Sequence, residues 1–153
     1  MLMGSTNFAH ILEKLPYAPP FLFVDGITRL NAEEVEGFYR FKADSDFYQG
    51  HFKGAPVTPG VLLTECCAQI GVVCLGIHLL EESGTVNTIG GLALSETRME
   101  FLKPVYPGEK VRVEGKRVYY RFGKLKASVR LYNEAGDLAC RGTLGGMILK
   151  SAG

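Results

Sequence analysis

The sequence has no tryptophan and almost no net charge: 17 basic and 16 acidic residues give a formal charge of +1 at pH 7. Such a balance provides no global attraction to nucleic acid or to a membrane surface. The four cysteines form no Cys-x-x-Cys pair, and no cluster of cysteine and histidine has the spacing of a zinc site. We therefore expect no metal and no nucleic-acid partner, and we expect the cysteines to be buried and reduced.

The N-terminal residues also lack the pattern of a secretory signal, which is a basic segment followed by an apolar run and a cleavage site. Segment 61–80 is apolar almost throughout, but it includes Glu65, Gln69 and His78. A carboxylate is costly in a lone membrane span, and flanking basic clusters are missing. We therefore expect a helix buried inside its own protein, no membrane association and, by default, a cytoplasmic location.

No repeat, low-complexity tract or linker divides the chain, so its 153 residues fit one domain, 1–153. A short amphipathic helix is predicted at 7–15, and a long helix should begin at Thr58–Pro59, because threonine is a good N-cap and proline suits the first helical position. The strand pattern recurs at 21–30, 34–42, 88–94, 98–102, 111–120, 125–131 and from 138 onward.

Several antiparallel strands and one apolar helix predict an α+β fold in which a single antiparallel sheet wraps around the central helix. This layout hides the helix on most of its sides. The open face of such a sheet and the far side of the helix still need cover, so we also expect a dimer.

Two polar residues near the start of the long helix are candidates for chemistry. His51 lies on a glycine-flanked loop, and Glu65 lies in the second turn of the helix with Gln69 four residues later on the same face. Burial should raise the pKa of Glu65 and keep it able to donate a proton near neutral pH. The alternatives remain open: Glu65 bonded to backbone or to Gln69 to hold a loop, and His51 as an ordinary loop histidine.

Gly60 falls in the first helical turn, where backbone N–H groups have no intrahelical acceptor and the helix end carries partial positive charge. A carbonyl oxygen placed there would be stabilised as it becomes enolate-like. The simpler interpretation is a glycine that follows a proline in a tight corner.

Three motifs occur in the order found in one known family and cover roughly residues 15–149. They are LP followed by PFLFVD within 15–25, GHFxGxPVxPGVL at 50–62 followed by Glu65 and Gln69, and FLKPVxPG at 101–108. Together they closely resemble the 3-hydroxyacyl-acyl-carrier-protein dehydratases of the FabZ type.

The resemblance implies a hot-dog fold that works as a homodimer or a trimer of dimers, with no metal or organic cofactor. It places the active site at the dimer interface, where the catalytic His51 faces the catalytic Glu65 of the other subunit. It also implies that the backbone N–H at Gly60 takes the thioester carbonyl. The substrate arrives on the phosphopantetheine arm of acyl carrier protein. We further expect Phe52, Val61 and Gln69 to contact the substrate.

The predicted activity is that of a hydro-lyase, which converts a (3R)-3-hydroxyacyl thioester on acyl carrier protein to the trans-2-enoyl thioester in fatty-acid or related lipid or polyene biosynthesis. His51 can take the C2 proton, and protonated Glu65 can donate to the C3 hydroxyl; alternatively, His51 makes both proton transfers. A hot-dog acyl thioesterase and a non-catalytic acyl-carrier binding module are the rival functions. Lys53, Thr58 and the triplet Tyr17-Ala18-Pro19 depart from the family pattern, which leaves the acyl substrate open.

Basic residues crowd one later stretch, where only Glu114 opposes them. The stretch could steer an acidic carrier protein, or it could simply be the solvated outer face of a sheet. Both interpretations stay open at this point. Its members are Lys110, Arg112, Lys116, Arg117, Arg121, Lys124, Lys126 and Arg130.

Overall fold

The computed structural model describes residues 8–84 and 89–150. Six strands form one antiparallel sheet in the order β1-β2-β4-β5-β6-β3. They are β1 (Gly26–Leu30), β2 (Glu34–Arg40), β3 (Ile89–Phe101), β4 (Lys110–Arg121), β5 (Lys124–Tyr132) and β6 (Leu138–Lys150). The helices are α1 (Ala9–Glu13), a 3-10 turn (Asp46–Gln49) and the long α2 (Gly60–Glu82).

The sheet curls around α2, as the all-round apolar sequence of that helix requires. By length and composition α2 could cross a membrane, but 72% of its apolar window is buried inside the chain. Burial of this extent is typical of the core helix of a globular protein. Ile70, Val72 and Leu75 have no exposed surface at all. The predicted α+β class, with one antiparallel sheet around a central helix, is confirmed.

Two glycines let the middle of α2 approach the sheet closely. A Cβ added to Gly115 of β4 would lie 2.8 Å from Cα of Gly71, and one added to Gly71 would lie 2.6 Å from Cγ1 of Val129. In this middle section the helix widens to a π-helical turn over Gln69–Cys74. Such turns are rare and often occur at functional sites.

The start of α2 differs from the prediction. The helix begins at Gly60 with Pro59 at the N-cap position, and no side chain caps it. Thr58 is therefore not the N-cap, because its hydroxyl instead forms a buried hydrogen bond 2.5 Å long with the hydroxyl of Tyr48. The N–H of Thr58 donates to the carbonyl of Val105.

Other element boundaries also shift. α1 is shorter than the predicted 7–15, although Ile11 and Leu15 are buried as its apolar face requires. The first strand begins at Gly26 rather than at residue 21, because the preceding backbone bonds to a side chain of α2. The predicted segments 88–94 and 98–102 are one continuous strand from residue 89, and Asn7 and Thr88 lie outside the described residues.

β3 lies at one edge of the sheet and is 13 residues long. Most of its side chains are exposed, including Leu94 at 41% and Phe101 at 50%. A long exposed edge strand presents unpaired backbone groups that can pair with another chain. The fold therefore offers this edge, next to the start of α2, as a pairing surface.

Candidate active site

The loop between the 3-10 turn and α2 holds His51 in one orientation. Its Nδ1 lies 2.8 Å from the carbonyl oxygen of Val57, and the Val57 N–H donates back to the carbonyl of His51 at 2.8 Å. Because a carbonyl oxygen only accepts, this bond places the proton on Nδ1 of the neutral ring. Nε2 then keeps a free lone pair, which is what a general base needs.

Contacts on both sides of His51 support the loop. The ring of Phe52 stacks on that of His51 with centroids 4.2 Å apart and an interplanar angle of 25°. Phe52 itself is 59% exposed, and the peptide bond between the two residues is cis. The buried Tyr48–Thr58 hydrogen bond ties the two ends of the loop together. The unusual Thr58 therefore has a structural role in the segment that carries His51.

Glu65 lies on the second turn of α2 and is half-buried. Burial raises the pKa of its carboxyl group, and the hydrogen bond from Gln69 opposes this rise without cancelling it. The group therefore holds its proton to a higher pH than an exposed glutamate does, as predicted. It opens onto a groove of about 820 Å³ between α2 and β3, lined by Gly60, Val61, Thr64, Glu65, Leu94, Thr97, Arg98, Met99 and Phe101.

Gln69 is fully buried, and its side-chain amide makes three hydrogen bonds within the protein. Its Oε1 accepts from the N–H of Phe23 at 2.8 Å, while its Nε2 donates to the carbonyl of Phe21 and to Oε2 of Glu65, each at 3.0 Å. With 0% exposure it has no surface on which a substrate could lie. In this structure the Gln69 amide therefore bonds to Glu65 and to the N-terminal segment, and its predicted contact with the substrate stays a prediction.

Gly60 and Val61 open α2, so their N–H groups precede the first intrahelical bonds. A Cβ on Gly60 would lie 3.1 Å from Cε1 of Phe101, so glycine allows the strand and the helix start to pack closely. Val61 is 76% exposed on the rim of the groove. Both residues lie where a ligand in the groove would meet the positive end of the helix.

The predicted site residues thus fall into two groups within one chain. Gly60, Val61 and Glu65 share the groove, whereas His51 and Phe52 lie together on the loop. Across residues 8–84 and 89–150, no hydrogen bond joins His51 to Glu65.

Sequence reasoning missed several neighbours of Glu65. Arg98 and Met99 reach the groove from β3, which is distant in sequence. Burial and the negative charge of Glu65 both raise the pKa of Tyr17, so this departure from the family motif lies within electrostatic reach of the carboxyl group. No local pattern in the sequence places these three residues near Glu65, because the fold alone brings the segments together.

A metal site would need a cluster of histidine, cysteine or acidic side chains. Within the described part of the chain, no group of three or more histidine, cysteine or acidic residues could hold a metal ion. All four cysteines are buried and free, as predicted. Burial raises the pKa of the Cys66 and Cys74 thiols, which keeps them protonated and inert.

The amino-acid sequence of the chain is similar to those of known proteins. Residues 15–134 match the model of the FabA-like domain family. A 3-hydroxyacyl-acyl-carrier-protein dehydratase FabZ of Clostridium perfringens strain SM101 is 33% identical over 142 residues, which are 90% of this chain and 95% of that protein. The protein of the same name from Syntrophobacter fumaroxidans is 34% identical over 128 residues, or 84% of each chain.

Solved structures share the fold at low identity. The dehydratase heterocomplex ApeI:P of Xenorhabdus doucetiae superimposes with a TM-score of 0.75 at 12% identity, over 90% of both chains. A hypothetical thioesterase of Streptococcus pneumoniae, solved with coenzyme A, gives a TM-score of 0.56 at 13% identity, over 84% of this chain and 88% of that one. The fold is the hot-dog fold, as the sequence motifs implied.

Proposed function

This chain belongs to the FabA-like family, and from that membership and the geometry around Glu65 we infer that it is a dehydratase. It removes water from a 3-hydroxyacyl thioester and forms the trans-2-enoyl thioester. The observation that carries the proposal is a half-buried carboxyl group of raised pKa at the wall of a groove, beside the start of a helix. Such a group can supply the proton that a departing hydroxyl needs.

The base in this proposal is His51. Its Nδ1 is occupied by the carbonyl of Val57, so Nε2 is the nitrogen available to take the proton from C2. Loss of that proton builds negative charge on the thioester oxygen. The N–H of Gly60, at the positive end of α2, would stabilise this oxygen.

The acid in this proposal is Glu65. It gives its proton to the C3 hydroxyl, directly or through a water molecule, and the C3–O bond breaks to release water. The electrons of the C2–H bond form the C2–C3 double bond, which leaves Glu65 as a carboxylate and His51 protonated. The elimination is reversible, so the same groups hydrate the enoyl thioester. In the alternative mechanism His51 makes both proton transfers, and Glu65 only orients the hydroxyl.

We propose that the complete site forms between two copies of the chain. Two observations support this: His51 and Glu65 make no mutual hydrogen bond within residues 8–84 and 89–150, and the long exposed edge of β3 borders the Glu65 groove. Pairing of two β3 edges would bring the loop of one copy to the groove of the other. A homodimer, or a trimer of such dimers, satisfies this requirement.

The names of the relatives supply the substrate class that we propose for this chain, a 3-hydroxyacyl group on acyl carrier protein. The reaction belongs to fatty-acid or related lipid biosynthesis, in the cytoplasm. It requires no cofactor, because every proton transfer uses a side chain of the protein. Phe52 and Val61, both exposed beside the catalytic groups, are the proposed substrate contacts.

A thioester assay separates the candidate functions. The purified protein is incubated with a 3-hydroxyacyl pantetheine thioester, and both enoyl absorbance and free thiol are followed. Formation of the enoyl thioester without thiol release supports the dehydratase. Thiol release would assign the chain to the thioesterases, and neither signal would make it a binding module.

A further inference from the structure

The outer face of the sheet carries a cavity outside the candidate active site. α2 covers the inner face, where Ala127 and Leu131 of β5 are fully buried. Ser128 and Arg130 alternate with these residues along the strand, so they point outward. They line a cavity of about 830 Å³ that extends across β3, β4, β5 and β6. This volume lies within the range of small-molecule sites. We call it the outer-face cavity.

Two short hydroxyl side chains lie side by side in the outer-face cavity. Thr143 of β6 is directly paired with Ser128 of β5, and paired residues share one face of a sheet. Both side chains are half-buried and line the cavity. Within residues 8–84 and 89–150 neither makes a side-chain hydrogen bond. Each hydroxyl therefore keeps a donor for a ligand.

Cations flank the two hydroxyls at both ends of one row across the sheet. Arg98 of β3 is paired with Thr143, and Lys116 of β4 is paired with Ser128. Arg98 and Lys116 therefore project from the same face as the hydroxyls. Arg130, two residues from Ser128 along β5, adds a third cation on this face.

The carboxylates of the outer-face cavity are paired with other residues and do not neutralise these three cations. Glu100 accepts from Nε of Arg141 at 2.9 Å, and Glu114 forms an ion pair with Arg112. In the part of the chain that the structure describes, the three cations form no ion pair. Positive charge is thus concentrated in one cavity, although the whole chain carries a formal charge of only +1.

We propose that the outer-face cavity binds a soluble small molecule that carries two or more phosphate groups. Three unpaired cations and two free hydroxyls supply the donors that phosphate oxygens accept from, and bonds of this kind are strong because the charges assist them. Cations spread over three strands suit several phosphate groups better than one. No aromatic ring lines the cavity among the described residues, so no stacking surface is offered to a nucleobase. Recognition therefore depends on the phosphate groups.

The outer-face cavity is separate from the proposed path of the thioester. The sheet lies between the cavity and α2, which carries Glu65. Arg98 and Met99 line both the cavity and the Glu65 groove, so β3 forms a wall that the two share. Pairing of β3 edges would use backbone groups and leave the outer face open. The inference therefore goes beyond the proposed function and does not depend on it.

The test uses sodium tripolyphosphate, titrated by calorimetry into the full chain at constant ionic strength. We expect saturable binding of one molecule per chain, about tenfold or more tighter than that of inorganic phosphate, because several phosphate groups engage the site together. Arg130→Gln should weaken the affinity about tenfold or more through loss of a charge-assisted bond. Thr143→Val keeps the shape of the side chain but removes the hydroxyl, and it should weaken the affinity about fivefold.

Arg121→Gln is the matched control. Arg121 is an exposed cation of β4 that lies outside the cavity, over the ring of Tyr119, and it forms no ion pair among the described residues. The substitution removes the same charge as Arg130→Gln and should leave the affinity unchanged. Urea unfolding checks that every variant is folded.

Four outcomes would overturn the proposal. The first is the absence of saturable binding to the folded wild type, and the second is an unchanged affinity in both Arg130→Gln and Thr143→Val. The third is equal weakening by Arg121→Gln, which would indicate a general attraction of anions to the surface. The fourth is binding to vesicles of phosphatidic acid without binding of tripolyphosphate, which would assign the cavity to a lipid headgroup.

Discussion

Gln69 donates its side-chain amide to Oε2 of Glu65 at 3.0 Å, and the backbone of Phe21 and Phe23 fixes which way the amide points. The N–H of Phe23 needs an acceptor, while the carbonyl of Phe21 and the carboxyl of Glu65 need donors. A flipped amide would violate all three bonds. Because Gln69 donates to Oε2 of Glu65, the proton of the acid form lies on Oε1 of Glu65. The N-terminal segment thereby orients a side chain on the central helix.

Gln69→Met should remove this orientation while nearly conserving volume. Loss of a donor to the carboxylate raises the pKa of Glu65 further, so the alkaline limb of the rate profile should move to higher pH. The maximal kcat should fall by up to about 100-fold, because the acid is no longer aligned with the hydroxyl. Carbon-13 NMR titration of the Glu65 carboxyl, together with kcat at each pH, checks both effects.

Cys74→Ala is the control for Gln69→Met, since Cys74 is equally buried on the same helix and bonds to neither catalytic residue. It should destabilise the fold without moving the Glu65 titration. An unchanged titration and kcat in Gln69→Met would show that the amide has no part in positioning the acid.

The raised pKa of Glu65 also predicts how stability depends on pH. The folded chain holds this proton to higher pH than the unfolded chain, so stability present below the unfolded pKa is lost as pH rises through the folded pKa. Glu65→Gln has no proton to lose. The variant should therefore be more stable relative to the wild type at about pH 8 than at about pH 4, where glutamate begins to ionise. In other words, its free energy of unfolding minus that of the wild type should increase with pH. Urea unfolding at fixed protein concentration measures the difference, and a pH-independent difference would argue against a buried acid.

The approach of α2 to β4 gives a prediction about stability alone. In Gly115→Ala the new methyl group would lie 2.8 Å from Cα of Gly71, which is backbone and cannot turn away. Overpacking of this kind should cost about 1–3 kcal/mol of unfolding free energy. Gly50→Ala is the control, because nothing lies within 4 Å of its added methyl group. Thermal unfolding of both variants tests this, and equal midpoints would mean that helix and sheet are not held so tightly.

Much of the fold could be predicted because its signals are local. The strict alternation of Leu125, Ala127, Val129 and Leu131 predicts a strand with one buried face, and all four are buried. The spacing from Glu65 to Gln69 likewise predicts their contact. The role of Thr58 could not be predicted, because its hydroxyl bonds to Tyr48 on the far side of a loop and does not cap α2.

The site could be predicted only in part, because some of its residues come from segments that are distant in sequence. His51, Gly60 and Glu65 belong to one continuous motif, whereas Arg98 and Tyr17 reach the same region from distant segments. The continuity of β3 was missed because its residues between 94 and 98 are exposed and do not alternate. Pairing with β6 holds that section in the sheet.

A site shared between two chains predicts complementation. His51→Ala and Glu65→Gln are each inactive alone, but a mixed dimer carries one intact site and one that is doubly impaired. Random exchange at equal concentrations should restore about a quarter of the wild-type activity, because half of the dimers are mixed and each has one working site of two. The activity is measured after mild dissociation and reassembly. No recovery, with exchange verified by mass, would place both residues of each site in a single chain.

The central claim is that His51 and Glu65 carry out the dehydration, and the most direct measurement is the initial rate of enoyl thioester formation by the wild type, His51→Ala and Glu65→Gln. Circular dichroism and oligomeric state should match among the three proteins. Each variant should lose about 100- to 10,000-fold in kcat, the range typical of a lost general acid or base. Rates close to that of the wild type in both folded variants would contradict the assignment.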